Sequence, residues 1–238
     1  MSMKLKLMVI REDKVELESF EYQQQVIGEK PVVLDVLLQY QENQNKDYAY
    51  RYGCRNGLCG VCTVEVNGKP KLACKCRVGE GDTITPLSTL PVLSDLVVSR
   101  QAVSKQLVEK LPVPQGTGQD NNADNTDYQR LNRCIECYAC LHECPMHEKN
   151  DLTNRQADYL YGNPYSLLRI QRNLVDANAT EEVKEKSLKL ARDLGIEACR
   201  DCKGCRCGVG INLKKDVIRP LLFRLPNGEP DKSIEKEY

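Results

Sequence analysis

The sequence predicts an α+β protein with a sheet-rich first domain, residues 1–104, and a helical second domain, residues 105–238. Three observations carry that reading. Apolar and polar residues alternate near the N-terminus, apolar residues recur at helical spacing beyond residue 160, and the cysteines fall into three runs. A length of 238 residues suits one large domain or two of ordinary size. Lysine plus arginine and aspartate plus glutamate number 34 each, so no net charge argues for nucleic acid or an anionic membrane surface. Hydrophobic residues make up 41%, with no Trp and two Phe, so the cores fall to Leu, Val, Ile and 11 Tyr. No run approaches about 18 uncharged apolar residues, and the N-terminus lacks a signal-peptide core. The expectation is a cytoplasmic protein, or one held peripherally at the cytoplasmic face of a membrane by partner subunits. In that reducing compartment 13 cysteines point to metal ligation rather than disulfides.

Lys4 to Arg11 alternates, with Leu5, Leu7 and Val9 on one face, and Val15 to Leu17 repeats the pattern, which predicts an antiparallel hairpin. Pro31 opens an apolar run to Tyr40 in which Val33, Val36, Leu37 and Tyr40 share a helical face, with Pro31 expected at the first helical position. Tyr48 to Tyr52 reads as a strand. Next comes Gly53-Cys54-Arg-Asn-Gly-Leu-Cys59-Gly-Val-Cys62, and, after eleven more residues, Cys74. This is the C-x4-C-x2-C…C spacing of a plant-type [2Fe–2S] ferredoxin, with Cys54, Cys59, Cys62 and Cys74 as ligands. Glycines interleaved with the cysteines let the loop fold tightly and turn its amides inward. Asn67-Gly68 is a hairpin signal that returns Cys74 to the others. Cys76 would share a face with Cys74 if the segment were a strand. It reads as a small packed thiol rather than a ligand.

A helix is expected from Ser94 to Leu111, closed by Pro112 and Pro114, with Val103, Leu107 and Leu111 among its apolar positions. A polar surface loop is expected over 115–127. Then comes Cys134, Cys137, Cys140 and Cys144 at C-x2-C-x2-C-x3-C, followed directly by Pro145. This is the bacterial ferredoxin run for a cubane, in which the fourth cysteine serves a different cluster from the first three. A zinc knuckle also uses C-x2-C pairs, but it gives no reason for an x3 step followed by proline. The partner cysteines are Cys199, Cys202, Cys205 and Cys207, so three clusters of four thiolates use twelve of the thirteen. Beyond the first of these two runs the pattern is helical. Asn163-Pro164 forms an N-cap and first helical position ahead of Leu167, Leu168, Leu174 and Val175; Thr180 caps a helix that Gly195 ends; and Leu213 to Arg224 is kinked or ended by Pro220. The second domain is therefore an α-helical ferredoxin.

With these two domains in this order, the chain resembles the iron–sulfur subunit of succinate dehydrogenases and fumarate reductases over nearly its whole length. The resemblance rests on Cys54-Arg-x-Gly-x-Cys59-Gly, on Leu96-Val97-Val98 and on Cys134 to Pro145. It implies a β-grasp first domain and an electron-transfer subunit of an oxidoreductase complex, with no substrate site of its own. The partners implied are an FAD-containing flavoprotein and a membrane-anchor or other redox subunit, with quinone as a possible electron partner. The cluster order implied is [2Fe–2S], [4Fe–4S] and, in the family, [3Fe–4S].

The sequence departs from the family pattern at its far end. Cys202 fills a position that is not normally cysteine, and the last ligand, Cys207, follows Cys205 after one residue instead of three. Lys149 and Arg200 stand where quinone-reducing members often place tryptophan and histidine. The paired-cubane ligand set is also similar to that of heterodisulfide reductases and thiol-linked fumarate reductases. The alternative function is therefore the same wiring serving another acid/enoate flavoprotein, or a soluble thiol, disulfide or other redox partner. His142 and His147, the two histidines, read as surface polar residues rather than proton carriers.

Cys144 with Cys199, Cys202 and Cys205 offers four thiolates where the family offers three, so the third centre is expected to be [4Fe–4S], with [3Fe–4S] as the alternative. The other cubane then takes Cys134, Cys137, Cys140 and Cys207. Val209, Ile211, Leu221, Leu222 and Phe223 are expected to form an exposed apolar face that a partner covers.

Overall fold

The computed structural model describes residues 2–11, 14–24, 28–115, 125–145, 162–202 and 204–225. They divide into two compact units: one holds residues up to 102 together with 135–142, the other 103–134, 143–145 and the described residues from 162 onward.

In the first unit, β1 (Ser2–Arg11) and β2 (Lys14–Gln23) pair antiparallel in one unbroken register, Ser2 opposite Gln23 and Arg11 opposite Lys14. β3 (Thr63–Val66), β4 (Lys69–Leu72) and β5 (Thr83–Thr85) complete a five-stranded sheet in the order β2-β1-β5-β3-β4, with β1 and β5 parallel. One helix, α1 (Val33–Asn43), packs on the sheet, and Val33, Val36, Leu37 and Tyr40 join Leu5, Leu7, Val9, Val64, Val66 and Ile84 in one core. A mixed sheet gripping a single helix is the expected β-grasp.

The β3–β4 turn at Asn67-Gly68 has both residues at positive φ, 51° and 71°, as a type I′ hairpin demands. Pro31 lies before the helix, not inside it. Val32 is the N-cap, and its amide donates to Asp35 Oδ2 at 2.9 Å, which fixes the start at Val33.

Tyr48 to Tyr52 is not a strand. The Ala49 amide donates to the Asp95 carboxylate instead of to a neighbouring strand. The same carboxylate explains why no helix starts at Ser94. Asp95 is 4% exposed, sits at φ 41°, and accepts from Ile10 N and Ala49 N, each at 2.8 Å. That pins a left-handed corner between β6 (Val92–Ser94) and β7 (Val97–Val98), and the helix, α2 (Gln101–Lys110), begins only beyond them. Aromatic rings run through this unit in sequence: Phe20–Tyr40 (5.3 Å between centroids), Tyr40–Tyr48 (4.8 Å), Tyr48–Tyr50 (6.2 Å) and Tyr50–Tyr52 (5.8 Å).

The second unit is helical. α3 (Thr126–Asn132) starts inside the stretch expected to be loop, with Arg130 bridging to Asp127 and Asp216, both at 3.2 Å. Residues 116–124 of that stretch, with His147 and Lys149, lie outside the described residues. α4 (Pro164–Leu174) is capped by Asn163, whose side chain accepts from Ser166 N at 3.0 Å. α5 (Glu181–Asp193) is capped by Thr180 in the same way, and Gly195 at φ 78° ends it. These two helices pack on each other, and Leu167, Leu168, Leu190 and Ala191 are buried. At the C-terminal end a π-helical turn, Lys214–Ile218, passes into α6 (Arg219–Phe223) at Pro220, which is the break expected there.

The apolar face expected beside the last cysteine is mostly core. Ile211, Leu221 and Leu222 are buried and Val209 is half-buried, leaving Phe223 at 60% exposed. Helical periodicity turns Leu221 and Leu222 inward against the rest of the unit. No helix among the described residues is long and apolar enough to cross a membrane.

Replacing Asp95 with Ala should reduce the denaturation free energy by about 3 kcal/mol, because two buried amides lose a charged acceptor. Asp95→Asn, which keeps one acceptor oxygen and tolerates the left-handed corner, should cost less. Chemical denaturation of the two variants beside the wild type measures this, and equal stability of all three would contradict the assigned role.

Candidate metal centres

The first four cysteines are placed by the turn before β3 and by the end of β4. Ala73 N donates to the Cys62 carbonyl at 2.9 Å, so the hairpin closes the gap between Cys62 and Cys74. Their sulfurs lie 3.5 Å apart, and both residues are buried. Cys54 and Cys59 form a second pair, with the Cys54 amide 3.5 Å from Cys59 Sγ. The amides of Asn56 and Leu58 donate to Cys54 Sγ at 3.4 and 3.2 Å. Those amides, then Cys59, hold the Cys54 thiol down at about 7. Burial pushes Cys62 up to about 11. Two thiol pairs of this kind would suit an iron–sulfur cluster. Arg55, at φ 57°, stacks over Tyr52 at 4.9 Å, and Leu58 is 68% exposed, so this loop faces outward.

Cys76 follows a turn, not a strand, since the amides of Lys75 and Cys76 both donate to the Leu72 carbonyl. Its thiol donates to the Arg77 carbonyl at 3.6 Å, and burial raises its pKa.

In the second run, Cys137 and Cys140 belong to the first unit and Cys134 to the second, as does Cys207. Glu136 and Tyr138, on either side of Cys137, sit at φ 52° and 58°, so the chain around this cysteine is held in a conformation that side chains ordinarily avoid. Cys134 follows α3, its amide donating to the Leu131 carbonyl at 3.2 Å. The Val209 amide reaches Cys207 Sγ at 3.5 Å. His142 follows a single 3-10 turn, Ala139–Leu141.

Cys144, Cys199, Cys202 and Cys205 all belong to the second unit. The Cys199 segment is a 3-10 turn, Ile196–Cys199, set off from α5 by Gly195. Burial first, then the nearby thiols of Cys144, Cys199 and Cys202, push Cys205 up to about 12, while Lys214 opposes them. At Gly204 this loop passes close to the Cys144 segment. A Cβ there would lie 2.7 Å from the Glu143 carbonyl and 3.3 Å from Pro145 Cδ. Arg200 pairs with Glu197 at 2.9 Å.

Among the described residues, no three His, Cys, Asp or Glu side chains gather tightly enough for one bare ion. The donor set, all sulfur and arranged as pairs and a foursome with inward amides, fits polynuclear iron–sulfide cores, which hold thiolates apart around bridging sulfides. Sequence reasoning missed Arg100, whose guanidinium donates to the Gly60 and Val61 carbonyls at 2.9 and 2.8 Å. No spacing distinguishes it from the other basic residues.

Residues 6–105 match the family of 2Fe-2S iron-sulfur cluster binding domains. Over 216 residues the chain is 29% identical to a fumarate reductase (CoM/CoB) subunit of Methanothermobacter marburgensis, covering 88% of this chain but 41% of that protein. This chain thus spans less than half of that relative. It is 28% identical to the succinate dehydrogenase iron-sulfur subunit of Paracoccus denitrificans over 199 residues, covering 79% of this chain and 74% of the relative. A chain of the Mycobacterium smegmatis Sdh1 complex in the apo form has the same fold, with a TM-score of 0.76 and 25% identity over 92% of this chain and 93% of that one. The sheet-rich ferredoxin half and the helical half agree with these likenesses: the chain is similar in sequence and fold to the iron–sulfur subunits of succinate dehydrogenases and fumarate reductases.

Proposed function

We propose that the chain is the electron-transfer subunit of a succinate dehydrogenase/fumarate reductase-type complex, relaying electrons between an FAD-containing flavoprotein and a membrane-anchor subunit with its quinone. The observations that support this reading are the Cys62–Cys74 thiol pair and the closeness of Cys205 to Cys144, Cys199 and Cys202, on a fold shared with such subunits. The relatives do not favour the alternative of another acid/enoate flavoprotein or a soluble thiol partner. The chain divides into a [2Fe–2S] domain, residues 1–104, and a helical domain, residues 105–238, and works at the cytoplasmic face of the membrane.

The ligand sets are Cys54, Cys59, Cys62 and Cys74 for [2Fe–2S]; Cys134, Cys137, Cys140 and Cys207 for one [4Fe–4S]; and Cys144, Cys199, Cys202 and Cys205 for a third centre, also [4Fe–4S]. Bound there, such clusters take up and release single electrons. The chain's own residues supply the rest. Amides of Asn56, Leu58 and Val209 donate to sulfur and stabilise its negative charge, and burial of Cys62, Cys74, Cys144 and Cys199 keeps water away. A fourth thiolate at the third centre adds negative charge and lowers its potential, which favours electron flow toward the flavin.

Cys59→Ser in the assembled complex should abolish the [2Fe–2S] EPR signal and cut electron flow from flavin to quinone, while dicarboxylate binding by the flavoprotein persists. Loss of that binding with the [2Fe–2S] signal retained would count against this division of labour. Anaerobically purified wild type should carry about ten irons per chain, against nine with a [3Fe–4S] centre, by the cluster types assigned. Cys202→Ser should drop the count by about one and produce an oxidised [3Fe–4S] signal. If that signal is already stoichiometric in the wild type and indifferent to Cys202, the third centre is [3Fe–4S].

A further inference from the structure

Arg100 sits between β7 and α2, and every contact of its guanidinium falls beside a cluster ligand. Nη2 donates to the carbonyls of Gly60 and Val61, the two residues between Cys59 and Cys62, at 2.9 and 2.8 Å. Nη1 reaches the carbonyl of Glu136, just before Cys137, at 3.5 Å. The guanidinium carbon lies 5.5 Å from the ring centroid of Tyr138, just after Cys137.

The two ligand loops also meet directly. Gly60, at φ 65°, could carry no side chain, because a Cβ would lie 2.2 Å from the Ile135 carbonyl and 3.0 Å from Cys137 N. One loop of the [2Fe–2S] set thus lies backbone against backbone on the cubane run, and Arg100 spans the junction.

We infer that Arg100 is a positioning residue of the electron relay, fastening the Cys59–Cys62 loop to the Glu136–Tyr138 turn and holding one positive charge beside a ligand of each cluster. This rests on the cluster reading proposed above. Three carbonyls oriented by one planar fork are fixed relative to each other, which a point-charge ammonium does not reproduce. Burial, and less so the neighbouring cation of Arg51, push the guanidinium down from its ordinary value while Tyr138, then Cys137 and Cys62, counteract that; an arginine so placed stays charged. A fixed cation near two anionic centres favours the reduced form of each, since reduction adds one negative charge, and it does so strongly where water is excluded. An electron crossing from one loop to the other therefore passes a charge that stabilises it on both sides. Arg100 itself is neither oxidised nor reduced.

The test is a potentiometric titration followed by EPR on the assembled, anaerobically purified complex. The wild type, Arg100→Lys, Arg100→Gln and Arg100→Met are compared, with iron and sulfide content measured for each. In Arg100→Met and Arg100→Gln, the oxidised-to-reduced ratio of both the [2Fe–2S] centre and the cubane served by Cys137 should rise roughly tenfold at a fixed potential, a fall of about 59 mV for a one-electron couple. Arg100→Lys, which keeps the charge, should shift the ratios less than about threefold yet slow electron passage between the centres, because the fork is lost. If Arg100→Met fails to hold its clusters, Arg100→Gln decides the potentials. Unchanged potentials in the charge-free variants, or a shift at only one centre, would overturn the inference. A wild type lacking both EPR-active centres would instead overturn the cluster reading on which it stands.

Discussion

Thiolates repel one another, and much of this architecture follows from bringing them together all the same. Around Cys205, burial and the neighbouring sulfurs of Cys144, Cys199 and Cys202 make ionisation so unfavourable that the thiol is pushed up to about 12. Were the cluster proposed above bound there, its cationic core would favour the ionised thiols, and its insertion would be linked to folding of this segment. The elements that press the sulfurs together are ordinary: capped helices α4 and α5, a glycine stop at Gly195, and a π-to-α switch at Pro220.

The cost of that gathering is visible in the backbone. Of the six non-glycine residues at positive φ among the described residues, Arg55, Glu136, Tyr138 and Cys205 lie inside ligand runs. Each such residue costs on the order of 1 kcal/mol and persists where its surroundings leave it no alternative. Asp95, outside the runs, shows what such over-determination looks like, since one buried carboxylate collects two amides from different parts of the first unit.

Much of this was legible in the sequence, because the strongest signals there were local. Alternation over Lys4–Arg11, the Asn67-Gly68 turn, Asn163-Pro164 and Thr180 each act within a few residues, and each forms the expected element. Cysteine spacing likewise encodes loop geometry directly. What failed depended on partners distant in the chain. Tyr48–Tyr52 and Ser94–Leu96 look like a strand and a helix start until Asp95 finds Ile10 and Ala49, far from it in sequence. Leu221 and Leu222 look available for docking until the unit closes over them. Arg100 carried no signal, since its three carbonyl acceptors come from two loops separated by seventy-five residues, Val61 to Glu136.

The file of rings from Phe20 through Tyr40, Tyr48 and Tyr50 to Tyr52 ends where Arg55 stacks beside the exposed cysteine loop. The chain contains no tryptophan, so its ultraviolet emission comes from tyrosines, and neighbouring rings in that file pass excitation among themselves. Iron–sulfur chromophores absorb where tyrosine emits and drain such excitation without light. With the clusters proposed above bound, the protein should emit weakly, and brightening would register the loss of a cluster, an optical gauge of cofactor content.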